Sequence, residues 1–332
     1  MKENKPPKPI KIIALIPFKN EDWVLVEYIN SIKKITNFII AYDDSSTDKG
    51  RNLLENAGAK IITENYKEKS GWAEHSIREC LLREGRAEGG THFICLDADE
   101  VFSDNFYLSA KQHILSLTPG QSLWMDWVNL YGNKETERID GVYKKLNKSF
   151  IFCDDKKATF SYAFLGVSRT PGDPLNRLVI PREKGAVIHF QFLNTQRADM
   201  KRIWYMCSEL IKGTRSALRI NTTYDIQKDR TTTKTRQLPK NSTFTIINND
   251  ITKYNQITDW RFLEIKQWFD VYGIAFFEDL DIWDNEILKK QFIGRENRAP
   301  KPKKPHPLII TINNTRNTIK IIFKMLYSKN NS

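Results

Sequence analysis

Apolar and polar positions fall into short blocks along the first third of the chain, and the period of the pattern changes from block to block. Residues 10–18 (IKIIALIPF) are rich in isoleucine and stop at Pro17, which predicts a strand. Residues 21–35 (EDWVLVEYINSIKKI) place Trp23, Val26, Ile29 and Ile32 or Lys33 three to four positions apart, the spacing of an amphipathic helix. A second strand follows at 38–44 (FIIAYDD). Residues 45–58 begin with helix-capping side chains and end in Gly58, as a short helix should. Residues 59–65 (AKIITEN) give a third strand. Residues 70–90 give a helix that turns Ile77, Cys80 and Leu81 inward and closes on glycines, and 92–96 (HFICL) give a fourth strand. Strand and helix repeating at this spacing predict an α/β fold, with a doubly wound, mostly parallel sheet flanked by helices on both faces.

Beyond about residue 120 the pattern loosens. Residues 122–132 and 185–193 look like strands, and 198–213 like a helix. Residues 221–258 are rich in Thr, Asn and Lys and read as a flexible insertion or lid. Helical periodicity returns at 259–273. Residues 299–307 (APKPKKPHP) form a basic, proline-rich linker. The last segment puts Ile319, Ile322, Phe323 and Leu326 on one helical face beside Lys320 and Lys324. The expected organisation is a basic tail over 1–9, a core over 10–220 divided near 105, an insertion over 221–258, a helical extension over 259–298 and a basic tail over 299–332.

Composition changes this picture little; the placement of charge changes it more. The chain has 332 residues, 40% hydrophobic, enough for a full core. Cys80, Cys95, Cys153 and Cys207 follow no metal or disulfide spacing and read as buried, reduced thiols. No apolar run reaches the roughly 20 residues of a membrane span, and the run at 10–18 is too short for a signal peptide, so a soluble, cytoplasmic protein is expected. The net charge is +12, but residues 1–11 carry +3 and residues 289–332 carry +10, which leaves a near-neutral body. That distribution speaks against nucleic acid as a partner. It suits a tail that meets an anionic membrane surface peripherally, or one that docks on the body or on a partner.

The candidate chemistry sits at strand ends. In HFICLDADEVFS the fourth strand runs into Asp97, Asp99 and Glu100. Asp43, Asp44 and Asp48 follow the second strand, and Asn20 and Glu21 follow the first. In an open parallel sheet the carboxyl ends of the strands hold the ligand. Alternation puts Asp97 and Asp99 on one side, where two close carboxylates call for a hard cation such as Mg²⁺ or Mn²⁺ carrying a phosphate. Each cluster read alone is as well explained by capping of a following turn.

Taken in order, IIALIPFKNE, FIIAYDDSSTDKG and HFICLDADE resemble the family 2-type glycosyltransferases of the GT-A fold, over residues 10–105 and more loosely to about 290. The resemblance implies inverting transfer of a sugar from a nucleotide-sugar donor to a hydroxyl of a glycan or lipid-linked acceptor, as in surface polysaccharide synthesis. The first half of the core would hold the nucleotide and the second the acceptor. Pro17 and its neighbours Asn20 and Glu21, with Asp43 or Asp44, would hold the nucleoside. Asp97 and Asp99 would hold ribose, diphosphate and a divalent metal. A basic residue expected after the third strand would be Lys67 or Lys69.

The general base has no clear motif; among Asp126, Asp154, Asp155, Asp173 and Glu183, Asp154 or Asp155 in FCDDKK is the expected choice, against a plain reading of both as solvated loop acids. His189, amid apolar residues, has two readings, as a metal ligand and as a satisfied core histidine. His75 and His92 read as structural and His113 as helix surface. Trp124, Trp127 and Tyr131 read as core packing or as a platform for an acceptor sugar. A sugar-phosphate nucleotidyltransferase would share the sheet, but IPFKNEDW lacks that class's glycine-rich basic loop.

Overall fold

In the computed structural model, which describes residues 9–293 apart from 65–72, 161, 164–165, 214, 229–232 and 249, the run at 10–18 becomes β1 (Ile12–Phe18). Beside it lie β2 (Ile39–Asp43), β3 (Lys60–Ile62) and β4 (His92–Ile94). All four are parallel, in the order β4-β1-β2-β3. Side chains along β1 divide by parity, as a two-residue repeat requires. Ala14, Ile16 and Phe18 pack with Leu25, Tyr28 and Ile32 of α1 (Asp22–Lys33) and Leu54 of α2 (Gly50–Asn56). Ile13 and Leu15 pack with Ile77, Cys80 and Leu81 of α3 (Glu74–Ala87) on the opposite face. This half of the sheet is doubly wound as expected. The approach of α3 to it is close: a Cβ on Gly85 would lie 2.5 Å from the ring of Phe93.

Past β4 the ladder becomes mixed. It continues through β5 (Glu100–Phe102), α4 (Ala110–Leu115), β6 (Ser122–Tyr131), β7 (Asn133–Arg138) and β8 (Asn147–Cys153). A separate two-stranded pair, β9 (Tyr162–Ala163) and β10 (Gly166–Val167), precedes β11 (Arg177–Val179) and β12 (Ala186–Phe192). β8 lies antiparallel against β4, with Cys153 opposite His92, and β6 lies antiparallel against β8. β12 pairs parallel with β6 and antiparallel with β5. The four cysteines are buried and free.

The stretch expected as a flexible lid is tied down where it is described. β13 (Thr235–Gln237) adds to β7. Phe244 and Ile246 pack on the cluster of Val101, Val128, Ile188 and Phe190. The carboxylate of Glu27 on α1, itself buried, accepts hydrogen bonds from the backbone N–H of Ile247 (2.9 Å) and Asn248 (2.6 Å).

The described residues up to Thr195, with 233–254, form one compact unit; 196–228 and 255–293 form another. The second is helical: α5 (Thr195–Lys212), α6 (Ala217–Tyr224), α7 (Trp260–Tyr272), α8 (Ile274–Phe277) and α9 (Glu286–Ile293). Asp259 caps α7, its carboxylate accepting from the N–H of Arg261 at 2.7 Å. α5 belongs, from Gln196 on, to this unit, so the core expected over 10–220 ends earlier than its sequence pattern suggests. The basic N-terminal tail up to Lys8, and the linker and amphipathic tail over 299–332, lie outside the described residues. Among the described residues no helix is long and apolar enough to cross a membrane.

Replacing Glu27 by Ala removes the acceptor of two backbone N–H groups and should cost about 2 kcal/mol. Urea unfolding would report the loss. Hydrogen exchange should show the amides of Ile247 and Asn248 losing protection before the strands of the sheet do.

Candidate functional site

The carboxyl ends of β1 and β2 are fastened to each other by the residues that follow them. Asn20 takes a left-handed conformation (φ 52°), which asparagine tolerates better than most residues. Its Oδ1 accepts from the N–H of Thr47 (2.6 Å) and Asp48 (3.2 Å). Its own N–H donates to Ser46 Oγ at 3.0 Å, and the N–H of Ser46 donates to Asp43 Oδ1 at 2.8 Å. Asp48 accepts from the N–H of Asp22 and of Gly50, both at 2.8 Å. Glu21 precedes α1 and accepts from the indole N–H of Trp23 at 2.6 Å. Asn20 and Glu21, expected among the nucleoside ligands, thus make bonds that shape the loops at this edge. Pro17 is buried in β1 level with Tyr42. Asp43, level with Phe18, is buried at the sheet edge with Arg51 at 3.7 Å, and Asp44 pairs with Lys19 at 3.5 Å.

On the other side of β1, the chain leaves β4 through Asp97, Ala98 and Asp99. Asp97 meets two guanidinium groups, Arg78 at 2.9 Å and Arg169 at 2.5 Å. Burial pushes its carboxyl up, but Arg169 and Arg78 outweigh burial and hold it below the usual carboxylate range. Both oxygens of Asp97, expected to share a metal with Asp99, thus face arginines in this arrangement. Arg78 also bonds Glu74, with contacts of 3.0 and 2.9 Å.

Asp99 behaves differently. Its Oδ2 lies 3.2 Å from Nε2 of His189, and both side chains are buried. On β6, Asn129 sits directly opposite His189 in the parallel ladder. Its Nδ2 donates to the carbonyl of Trp127 at 3.2 Å, which turns its Oδ1 towards His189 Nδ1 at 2.8 Å. An amide oxygen only accepts, so Nδ1 carries the hydrogen. In a neutral imidazole Nε2 then presents a lone pair to a carboxylate. That contact is favourable only with a proton or a cation between them.

Below this pair lies Glu100, fully buried. Its carboxylate accepts from the indole N–H of Trp127 (2.6 Å), from Arg169 (2.8 Å) and from the backbone N–H of Asp97 (2.9 Å). Burial raises its pKa and Arg169 only partly offsets this. The indole of Trp127 stacks on the His189 ring, with centroids 4.4 Å apart and planes at 20°. The ammonium of Lys148 sits 3.5 Å from the Trp127 ring centroid, and burial, then repulsion by Arg169, pushes its pKa down to about 7. Arg78, Asn129, Lys148 and Arg169 carried no sequence signal, since none stands in a motif and all lie outside residues 92–103.

Asp154 and Asp155 are at the wrong end of the sheet for the expected base. β8 runs antiparallel to β4, so its carboxyl end meets the amino end of β4; Asp154 N–H donates to the carbonyl of Thr91. The fully buried Asp154 carboxylate is held by Arg86 and Lys156, both at 2.8 Å. Asp155 accepts from the N–H of Lys157 and Ala158, closing a turn. Lys67 and Lys69 lie outside the described residues.

Among the described residues no three His, Cys, Asp or Glu side chains converge as a metal-holding group. One carboxylate and one imidazole do converge, and the imidazole is oriented by an acceptor on its second nitrogen, as metal-bound histidines are. This donor pair fits a divalent cation that completes its coordination with substrate oxygens and water. The nitrogen favours Mn²⁺ over Mg²⁺.

No family model matches the chain, and no curated protein matches it. Several solved structures do. One is glucosyl-3-phosphoglycerate synthase from Mycobacterium tuberculosis with Mn²⁺ and UDP-glucose, 18% identical over 36% of this chain and 44% of that one, with a TM-score of 0.27. Another is mannosyl-3-phosphoglycerate synthase from Rubrobacter xylanophilus, 19% identical over 37% and 41%, with a TM-score of 0.28. A third is a mannosyltransferase from Pyrobaculum calidifontis with GDP-mannose and Mn²⁺, 12% identical over 62% and 64%, with a TM-score of 0.35. The chain spans less than half the length of the first two. All three are glycosyltransferases.

The placement of Asp154 makes it a stability residue. Burial raises its pKa, but the bonds from Arg86 and Lys156 win and lower it. Its contribution is therefore present above the unfolded value of about 4 and lost as pH falls through the folded one. Asp154→Asn should cost about 3 kcal/mol at pH 7. The penalty should shrink towards pH 3 in denaturant titrations, and ligand binding at the Asp99 edge should be unaffected.

Proposed function

We propose that this chain is a metal-dependent glycosyltransferase that moves a sugar from a nucleotide-diphosphate donor to a hydroxyl of a glycan or lipid-linked acceptor, with inversion, in surface polysaccharide synthesis. The observation that carries the reading is the buried contact between Asp99 and His189, with the imidazole hydrogen fixed by Asn129. It lies at the carboxyl edge of parallel strands whose other member, β2, ends in the buried Asp43. The reaction class and the inversion are what the resemblance of the three ordered motifs to family 2-type glycosyltransferases implies.

Asp43, one strand over from β1, accepts a base N–H or a ribose hydroxyl, which fixes the nucleoside. Asp43 ends β2 and Asp99 follows β4, one on either side of β1, so both stand at the same edge of the sheet. Asp99 and His189 hold the divalent cation. When bound, the cation offsets the charge that grows on the leaving nucleoside diphosphate. Arg78 and Arg169 hold the Asp97 carboxylate at the ribose side of the site and supply positive charge near the phosphates. The base that takes the acceptor proton is drawn from carboxylates on this edge; Asp154 and Asp155 are excluded by position. Contact with an anionic membrane is assigned to the tail over 299–332, on its composition.

Titration calorimetry with UDP, GDP and CMP tests this. One nucleotide should bind with Mn²⁺ and lose affinity at least about a hundredfold in Asp99→Ala and in His189→Ala. Asp154→Asn should bind as the wild type does. Failure of a folded wild-type protein to bind any of the three with Mn²⁺ would sink the reading.

A further inference from the structure

His189 is fixed at three points, and two of them run through one residue. Asn129 fixes which nitrogen carries the hydrogen, and the backbone carbonyl of Trp127 orients Asn129. The third point is the imidazole plane. Held by its Cβ and by one hydrogen bond at Nδ1, the ring can still tilt, and a tilt swings the Nε2 lone pair away from Asp99. The face of His189 is covered by the Trp127 indole at 4.4 Å and 20°. The indole is itself held: its N–H donates to the fully buried Glu100 at 2.6 Å, and Lys148 lies over its ring at 3.5 Å. Cross-strand register makes this arrangement rigid. His189 stands opposite Glu100 on β5 and opposite Asn129 on β6, and Trp127 lies two residues before Asn129 on the same face.

We propose that Trp127 is a positioning residue: its Glu100-anchored indole sets the plane of the His189 imidazole, so that Nε2 is aimed at the cation shared with Asp99. This assigns the indole neither to general core packing nor to an acceptor platform. Stacking sets the angle, and the bond to Glu100 keeps the indole from rotating out of the stack. Removing the ring frees the imidazole to tilt, whereas removing the N–H alone leaves a ring that stacks less well. The role in metal binding rests on the function proposed above; the hold on the imidazole does not.

The test uses the full chain and two variants, Trp127→Phe and Trp127→Leu, each checked for folding by circular dichroism and urea midpoint. The first readout is nuclear magnetic resonance of the metal-free protein. In the wild type the carbon-bound protons of His189 should be shifted upfield by the stacked indole. Trp127→Phe should keep part of that shift and Trp127→Leu should lose it. The second readout is Mn²⁺ affinity, which should fall roughly 10- to 100-fold in Trp127→Leu and less in Trp127→Phe. Rescue by phenylalanine separates ring stacking from mere volume, because leucine also fills space.

An unshifted His189 signal in the wild type would overturn the proposal. So would a Trp127→Leu protein that binds Mn²⁺ within about twofold of the wild type. If the wild type takes up no Mn²⁺, or Asp99→Ala binds it unchanged, the metal reading fails, and the metal-free spectra alone then decide whether Trp127 holds the imidazole.

Discussion

The hydrogen bond from His189 Nδ1 to the side-chain oxygen of Asn129 is the constraint on which the site depends. It decides which face of the imidazole is a donor and so what can stand opposite Asp99. A histidine with its hydrogen on the other nitrogen would make an ordinary hydrogen bond to the carboxylate and need nothing further. With Nδ1 carrying the hydrogen, a neutral ring would set a buried acceptor against a buried acceptor, a costly arrangement unless a proton or a cation lies between them. The same contact joins three strands, because Asn129 is on β6, His189 on β12, and Asp99 leads into β5.

Around that pair the charges are closely matched. Asp97, Glu100 and Glu74 face Arg78 and Arg169, with Lys148 nearby. Burying this many ions is sustained only because nearly every oxygen has a specific donor. Lys148 is the exception in kind. It has an aromatic face for a neighbour, and burial, then Arg169, brings its pKa down to about 7.

The parallel half of the sheet was legible because each of its strands is a short apolar run closed by turn residues. Its helices carry a 3.6-residue period on one side only. β6 and β12 were legible for the same reason. β8 was not, because residues 147–153 (NKSFIFC) mix polar and apolar positions too briefly to separate strand from loop. Missing β8 is what misplaced Asp154 and Asp155: an antiparallel return strand reverses which end of the sheet its last residues reach. Asp97 and Asp99 could be located from sequence, but not told apart, since what separates them is contact with arginines that are distant along the chain. His189 was visible as a candidate only by its position after a strand. In the structure it is a buried strand residue whose two nitrogens contact Asn129 and Asp99.

The antiparallel pairing of β5 with β12 has a consequence for how the molecule comes into being. Asp99 and His189 are 90 positions apart, and nothing local brings them together. On a ribosome the parallel strands and their helices can dock as soon as α3 and β4 emerge, because their contacts are short in sequence. The acid edge then stands without its histidine until β12 is synthesised and closes the long loop, the slow kind of step in folding. For that interval the nascent chain has a sheet but no completed edge. A chain truncated anywhere before residue 189 would remain in that condition.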